Sequence, residues 1–272
     1  MMDYKKLCFS VQEVAKNAGN FIRNEREKIS SDDVELKSVA SLVTYVDKNA
    51  EKQIVKALSQ LIPGSGFVAE EGTASSNNEK YKWFVDPLDG TTNYIHGITP
   101  YSVSIGLSEN DELVLGVVYD VDRDEIFYAW KDSPAYSNGK EIKVATAQKS
   151  EDTLIATGFP YYDFEKTDLY MEALKELMKK TRGIRRLGSA AIDLSYVAAG
   201  RFNAFYEHAL HAWDVAAGVF ILQQAGGKVS DFNGGNNWLY GGEIIAASNN
   251  YFPEFFGIVN HYLGNDNKFS VI

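Results

Sequence analysis

The chain has 272 residues, 45% hydrophobic and 24% charged, with a formal net charge of −10. It is long enough for one large core or two smaller ones, and its composition is ordinary for a globular protein. No run of eighteen apolar residues is present, so no transmembrane helix and no membrane partner are expected. The opening MMDYKKLCFSVQEV lacks the long apolar core and small-residue cleavage site of a secretory signal. The acidic balance disfavours nucleic-acid binding, which rests on basic patches. It would also repel an anionic substrate unless bound metal ions reversed the local sign. The single cysteine, Cys8, lies on the apolar face of a predicted helix and cannot form an internal disulfide, which fits a reducing compartment; cytoplasm is the expectation.

Leu7, Val11, Val14, Ala15, Ala18, Phe21 and Ile22 recur at helical spacing, so the first thirty residues read as an amphipathic helix. Ser30 to Lys37 is polar and reads as a loop. A second helix is predicted from about Lys48 to Leu61, closed by Pro63-Gly64-Ser65-Gly66. Phe67-Val68-Ala69 is a short strand ending on Glu70 and Glu71, followed by a polar connection to Lys82. Trp83-Phe84-Val85 repeats the pattern and is expected to stop at Asp86-Pro87, because proline offers no N–H to a ladder. Strands near Tyr101–Leu107, Leu113–Val121 and Glu125–Trp130, with a further hairpin at Asn138-Gly139, make the middle third an antiparallel meander.

From Thr153 the pattern alternates. Leu154–Ala156, Ile184–Leu187, Phe202–Tyr206 and Glu243–Ser248 read as strands. Helices are predicted over Lys166–Lys180, from Gly188-Ser189-Ala190 to Gly200, over Trp213–Ala225 and over Tyr251–Tyr262. Gly234-Gly235-Asn236-Asn237 reads as a loop rather than a phosphate cradle. The order implies layers: a helix pair, the meander sheet, helices, a second sheet and an outer helix.

Chemistry concentrates in Trp83-Phe84-Val85-Asp86-Pro87-Leu88-Asp89-Gly90-Thr91-Thr92-Asn93-Tyr94. Carboxylates at a strand end, beside free N–H groups at a helix start, can hold a divalent cation and a phosphate side by side. On local chemistry alone the stretch reads equally well as a turn with a cap. Glu70-Glu71 reads alone as solvated charge, Asp214 as the cap of the helix it opens, and Lys37 as an exposed loop lysine. His96, His208 and His211 are unsuited to an oxygen-preferring ion and read as structural.

This stretch closely resembles the central signature of the inositol monophosphatase family. Trp213-Asp214-Val215-Ala216-Ala217-Gly218 with Gln224-Ala225-Gly226-Gly227 resembles the family's C-terminal motif. Phe67-Val68-Ala69-Glu70-Glu71, and Leu36-Lys37 with Val43-Thr44-Tyr45-Val46-Asp47, are similar to its two N-terminal elements. All four occur in order, spanning about residues 5 to 260. The resemblance implies an α/β, layered αβαβα sandwich forming one catalytic domain over 1–272, with an α+β half to about 148 and an α/β half after it. It implies a homodimeric, magnesium-dependent, lithium-inhibited phosphomonoesterase using two or three Mg2+, for which Mn2+ can substitute.

Carried over by position, Glu70, Asp86, Asp89, Asp214 and the Leu88 carbonyl would hold metal. Thr91, oriented by Asp47, would activate the attacking water together with Glu70. The Gly90 and Thr91 N–H groups would hold phosphate. Glu207, Ala190 and Asp214 would meet the substrate, with Lys37 and Glu71 as further candidates. Four carboxylates supply the charge that two hard cations require, and no zinc-type cluster or nucleophile elbow competes. The expected activity is hydrolysis of myo-inositol monophosphate or a similar cyclitol or sugar phosphate. The alternatives are a fructose-1,6-bisphosphatase or broad sugar phosphatase, and a catalytically silent regulatory binding protein. Lys131–Tyr136 departs from the family's glycine-containing turn, and Thr157-Gly158-Phe159-Pro160 resembles bacterial members.

Overall fold

A computed structural model describes residues 2–28, 34–38, 41–76, 78–147, 149–159 and 164–264. The elements follow in chain order as α1 (Tyr4–Glu25), β1 (Val34–Ser38), β2 (Ser41–Thr44), α2 (Tyr45–Leu61), β3 (Gly66–Ala69), β4 (Tyr81–Asp89) and α3 (Thr91–Ile95). Next come β5 (Ser102–Glu109), β6 (Glu112–Asp120), β7 (Glu125–Trp130), β8 (Ala135–Ser137), β9 (Lys140–Ile142), β10 (Leu154–Thr157), α4 (Thr167–Lys180) and β11 (Gly183–Arg185). The chain closes with α5 (Ala190–Ala198), β12 (Ala204–His208), α6 (Ala212–Gln224), β13 (Gly227–Ser230), β14 (Glu243–Ser248) and α7 (Phe252–Leu263).

Strands β3 to β9 form a seven-stranded sheet in sequence order, and β11-β10-β12-β14-β13 form a five-stranded one. One core joins the apolar stripe of α1 (Leu7, Val11, Ala15, Ile22) and α2 (Ile54, Leu58) to the large sheet. A second lies around α5 and α6, between the two sheets. A third fills the space between the small sheet and helices α4 and α7. The layers are therefore α, β, α, β, α, as expected, with two helices outermost rather than one. Burial of α5 and α6 on all sides explains their nearly unbroken apolar sequence.

Several sequence expectations are corrected. Helix α1 ends at Glu25, short of residue thirty. Helix α2 begins three residues before Lys48, because Thr44 and Asp47 close a reciprocal capping box. Val34–Ser38 is a strand paired with β2, not a loop, while residues 29–33 lie outside the described set. β4 begins at Tyr81, inside the stretch read as a connection, and β13 had no strand expectation at all.

The most consequential correction is at Pro87. Strand β4 does not stop there; it pairs Asp86 with Ser104 and resumes with Asp89 opposite Ser102. Three steps on β4 thus match two on β5, a bulge of one residue that absorbs the missing N–H. It also changes phase. In a regular strand, residues three apart face opposite ways. Here both aspartates lie opposite residues two apart on β5, so both face the same side of the sheet.

Helix α6 packs close to that sheet. A Cβ added to Gly116 would come within 2.5 Å of the Ala217 carbonyl oxygen, so glycine is required for the approach. The Ser104 hydroxyl donates to the Trp213 carbonyl at 3.4 Å. Both approaches place the first two turns of α6 against β5 and β6, beside β4.

Candidate active site

β3 and β4 run parallel, with Ala69 opposite Val85. Their carboxyl-terminal ends therefore lie together, and the Glu70 N–H donates to the Val85 carbonyl at 3.2 Å. The strand-then-acid pattern that occurs twice in the sequence thus delivers Glu70 and Asp86 to neighbouring positions. The turn after Glu70 is held from behind by Glu51, fully buried on α2, whose carboxylate accepts from the N–H groups of Glu71 at 2.7 Å and Thr73 at 2.8 Å. Nothing in the sequence marks Glu51, because its partners lie twenty residues away. Glu51→Ala is expected to lower stability by roughly 2–4 kcal/mol, since two backbone donors lose a charged acceptor. A denaturation midpoint equal to wild type would contradict this.

Asp86 is buried and its Oδ1 accepts from the Leu88 N–H at 2.9 Å. Burial, then the charges of Glu70, Asp89 and Asp214, push its carboxyl well above the usual range. Asp214 is raised as well, by burial first and the charge of Asp89 second. It also accepts from the His211 N–H at 2.6 Å, so one carboxylate serves both as helix cap and as part of this cluster.

Asp89 reaches across to the other half of the chain. Its Oδ2 accepts from the Ser189 hydroxyl at 2.6 Å and the Ala191 N–H at 2.8 Å, seating it on the amino end of α5. Burial pushes it up to about 6, against those bonds and the nearby Arg186 charge. Ser189 also caps α5 through the Ile192 N–H and lies 3.2 Å from the Ser102 hydroxyl. The sequence identifies Ser189 as a helix opening; its grip on Asp89 is visible only in three dimensions. Ala190 begins the same helix. Asn93 adds a second tie, its amide donating to the Pro100 carbonyl at 2.8 Å and the Leu187 carbonyl at 2.7 Å.

Thr91 opens the single-turn α3 after Gly90, which takes a left-handed φ of 94°. Its hydroxyl is 3.0 Å from Asp47 Oδ1 and 3.0 Å from the Leu88 carbonyl oxygen. Both neighbours accept, so the Thr91 proton is committed to them and its lone pairs are left to accept a hydrogen bond from a third group. Asp47 is itself held by the Thr44 N–H at 2.8 Å and hydroxyl at 2.6 Å, while burial raises its carboxyl above the usual range.

Glu207 is buried on β12 and pushed up to about 8, by burial first, with Arg186 acting to lower it and Asp89 to raise it. Asp193, on α5, is raised well above the usual range by burial and then by the charges of Glu207 and Asp89. Neither Arg186 nor Asp193 stood out in the sequence, where they look like an exposed arginine and a helix aspartate. His208 packs edge-on against Tyr170 and His211 stacks on Trp213, while His96 is exposed. Lys37 lies in β1, its side chain outside the described residues. The N–H groups of Asn233, Gly235 and Asn237 all donate to Asp231, which organises the loop around Gly234. Pro160, the last residue of the bacterial-type motif, lies outside the described residues.

The charges of Glu70 and Asp89 thus raise both Asp86 and Asp214, and all four carboxylates are hard oxygen donors suited to divalent cations. Among the described residues no three His, Cys, Asp or Glu side chains are already gathered into a cage. The donor chemistry fits hard metal ions; the positions are a charge cluster rather than a closed coordination shell.

The family model for the inositol monophosphatase family matches residues 3–260. The chain belongs to the inositol monophosphatase family. It is 38% identical over 237 residues to an inositol-1-monophosphatase of Mesorhizobium japonicum, covering 87% of this chain and 89% of that one. It is 39% identical over 254 residues to the Nus factor SuhB of Pseudomonas aeruginosa, covering 92% and 94%. Among solved structures, the extragenic suppressor protein suhB of Bartonella henselae superposes with a TM-score of 0.89 at 36% identity, over 93% of this chain and 98% of that one. Membership of the inositol monophosphatase family makes the chain a phosphatase for a small phosphorylated substrate, and the family is metal-dependent. None of its described helices is long and apolar enough to cross a membrane.

Proposed function

We propose that this protein is a magnesium-dependent phosphomonoesterase that hydrolyses myo-inositol monophosphate, or a closely related cyclitol or sugar phosphate, by direct attack of water. The observation that carries the reading is that the parallel register of β3 and β4 brings Glu70 and Asp86 to adjoining strand ends, where the charges of Asp89 and Asp214 also raise the Asp86 carboxyl. In this reading Glu70, Asp86, Asp89, Asp214 and the Leu88 carbonyl hold the ions. Mg2+ bound there supplies positive charge to the phosphate oxygens and makes water more acidic. Thr91 takes the proton of the attacking water as it passes its own hydroxyl proton to Asp47 Oδ1, 3.0 Å away. The N–H groups of Gly90 and Thr91, free of intrahelical acceptors at the start of α3, hold the phosphate. Glu207 meets hydroxyls of the polyol, with the amino end of α5 at Ala190 beside it. Inhibition by Li+, a homodimer and a cytoplasmic location belong to the same proposal.

Phosphate release from inositol 1-phosphate, fructose 1,6-bisphosphate and a 3′-phosphoadenosine nucleotide, each with and without Mg2+, tests it. Preference for the first, lost with chelator, is expected; no turnover of any of them with Mg2+ would sink the enzyme reading and favour a binding role. Thr91→Val keeps the shape and removes the hydroxyl. It is expected to lower kcat on the order of 10²-fold with little change in KM, while Thr91→Ser retains activity. Equal kcat in the valine variant would remove Thr91 from the chemistry.

A further inference from the structure

Gly158 follows β10, and the parallel register that pairs Thr157 with Tyr206 continues to place Gly158 beside Glu207. A Cβ built on Gly158 would sit on the carboxyl group of Glu207, touching its carbon and both oxygens. The Glu207 carboxyl therefore lies across the bare face of Gly158, in space that every other residue type would fill. The backbone there has little room to retreat. The Tyr170 hydroxyl is 2.9 Å from the Gly158 carbonyl oxygen and 2.6 Å from the Thr157 hydroxyl, which in turn donates to the Tyr206 carbonyl at 2.9 Å. Gly158 is not among the glycines with positive φ, so alanine is compatible with its backbone conformation. The effect of a methyl group there acts through space. Because the atoms it meets are the far end of a flexible side chain, the carboxyl moves rather than the sheet.

We infer that Gly158 is a specificity-positioning residue: its missing side chain forms the seat that holds the Glu207 carboxyl in place to meet substrate hydroxyls. The inference rests on the proposed role of Glu207, and deepens it by naming what fixes its position. It also gives a physical reason for the glycine in Thr157-Gly158-Phe159, a motif whose place in the function the sequence left open.

The test compares kcat/KM for inositol 1-phosphate with kcat/KM for p-nitrophenyl phosphate, which lacks the ring hydroxyls. Loss of one buried hydrogen bond to a charged acceptor corresponds to roughly a tenfold change in that ratio. Glu207→Ala is expected to lower the ratio about tenfold, and Gly158→Ala to lower it by a similar factor, chiefly through KM for the inositol ester. Glu207→Ala/Gly158→Ala is expected to show the Glu207→Ala ratio and no further loss, because the methyl then occupies vacated space. A Gly158→Ala ratio equal to wild type, or an independent second loss in the double variant, would overturn the inference. If Glu207→Ala itself leaves the ratio unchanged, the role of Glu207 in the proposed function fails instead. Should Gly158→Ala fail to fold, the double variant decides: recovery of folding supports a shared seat, and failure of both shows that the methyl meets something other than Glu207.

Discussion

Asparagine in place of Asp89 is expected to give a folded protein whose turnover at limiting Mg2+ is lower on the order of 10²-fold. Asp89 contributes one of four charges to the cluster, and its Oδ2 is anchored by Ser189 and the Ala191 N–H. An asparagine oxygen can accept one or both of those bonds, so the amino end of α5 stays satisfied while the negative charge disappears. Saturating Mg2+ is expected to recover part of the loss, since the missing charge weakens ion binding first. Wild-type rates for Asp89→Asn at limiting Mg2+ would show that Asp89 is not a ligand. The same residue sets a pH dependence. With its carboxyl at about 6, protons compete with the ion below that value, so activity at limiting Mg2+ is expected to rise as pH increases through this range.

Asp86→Asn is expected to raise the stability of the ion-free protein. Asp86 keeps its bond from the Leu88 N–H if the asparagine oxygen takes the same place, but it no longer faces Glu70, Asp89 and Asp214 as a like charge. Its folded-state carboxyl is raised above its unfolded value. The stability contributed by its proton is therefore fully present below the unfolded value and is lost as pH rises through the folded one. In chelator, Asp86→Asn is accordingly expected to melt higher than wild type near pH 8 and to lose that advantage below about pH 4. Added Mg2+ reverses the order, because a ligand at 100 times its Kd stabilises the wild type by about 2.7 kcal/mol and the variant by less. Melting curves at the two pH values, with and without Mg2+, decide it. A variant that melts lower than wild type in chelator at pH 8 would show that the cluster is not held at the expense of stability.

Local periodicity made most elements legible. The apolar stripe of α1 and the buried runs of β5 to β7 follow directly from residue spacing. The central motif was legible as chemistry because its acids, glycine and threonines are contiguous. Hidden instead were features whose cause lies across the fold. Val34–Ser38 has only two apolar residues, at the end of a polar stretch, and its strand pairing is with β2. Glu51 and Ser189 act on residues twenty and one hundred positions away. Asp193 shows its burial only when β12 and α5 pack together. Pro87 reads as a stop because proline has no N–H donor; the bulge that accommodates it depends on the register of β5.

That bulge makes the motif sensitive to length in a way that substitution does not reveal. Removing one residue between Asp86 and Asp89 would leave both aspartates on the same side of a regular ladder, but without the bulge that accommodates Pro87. Adding one beside the same bulge would turn the second aspartate to the opposite side. The segment therefore behaves as if it had a reading frame: insertion of a single residue is expected to be far more damaging here than a change at Leu88 to another apolar residue.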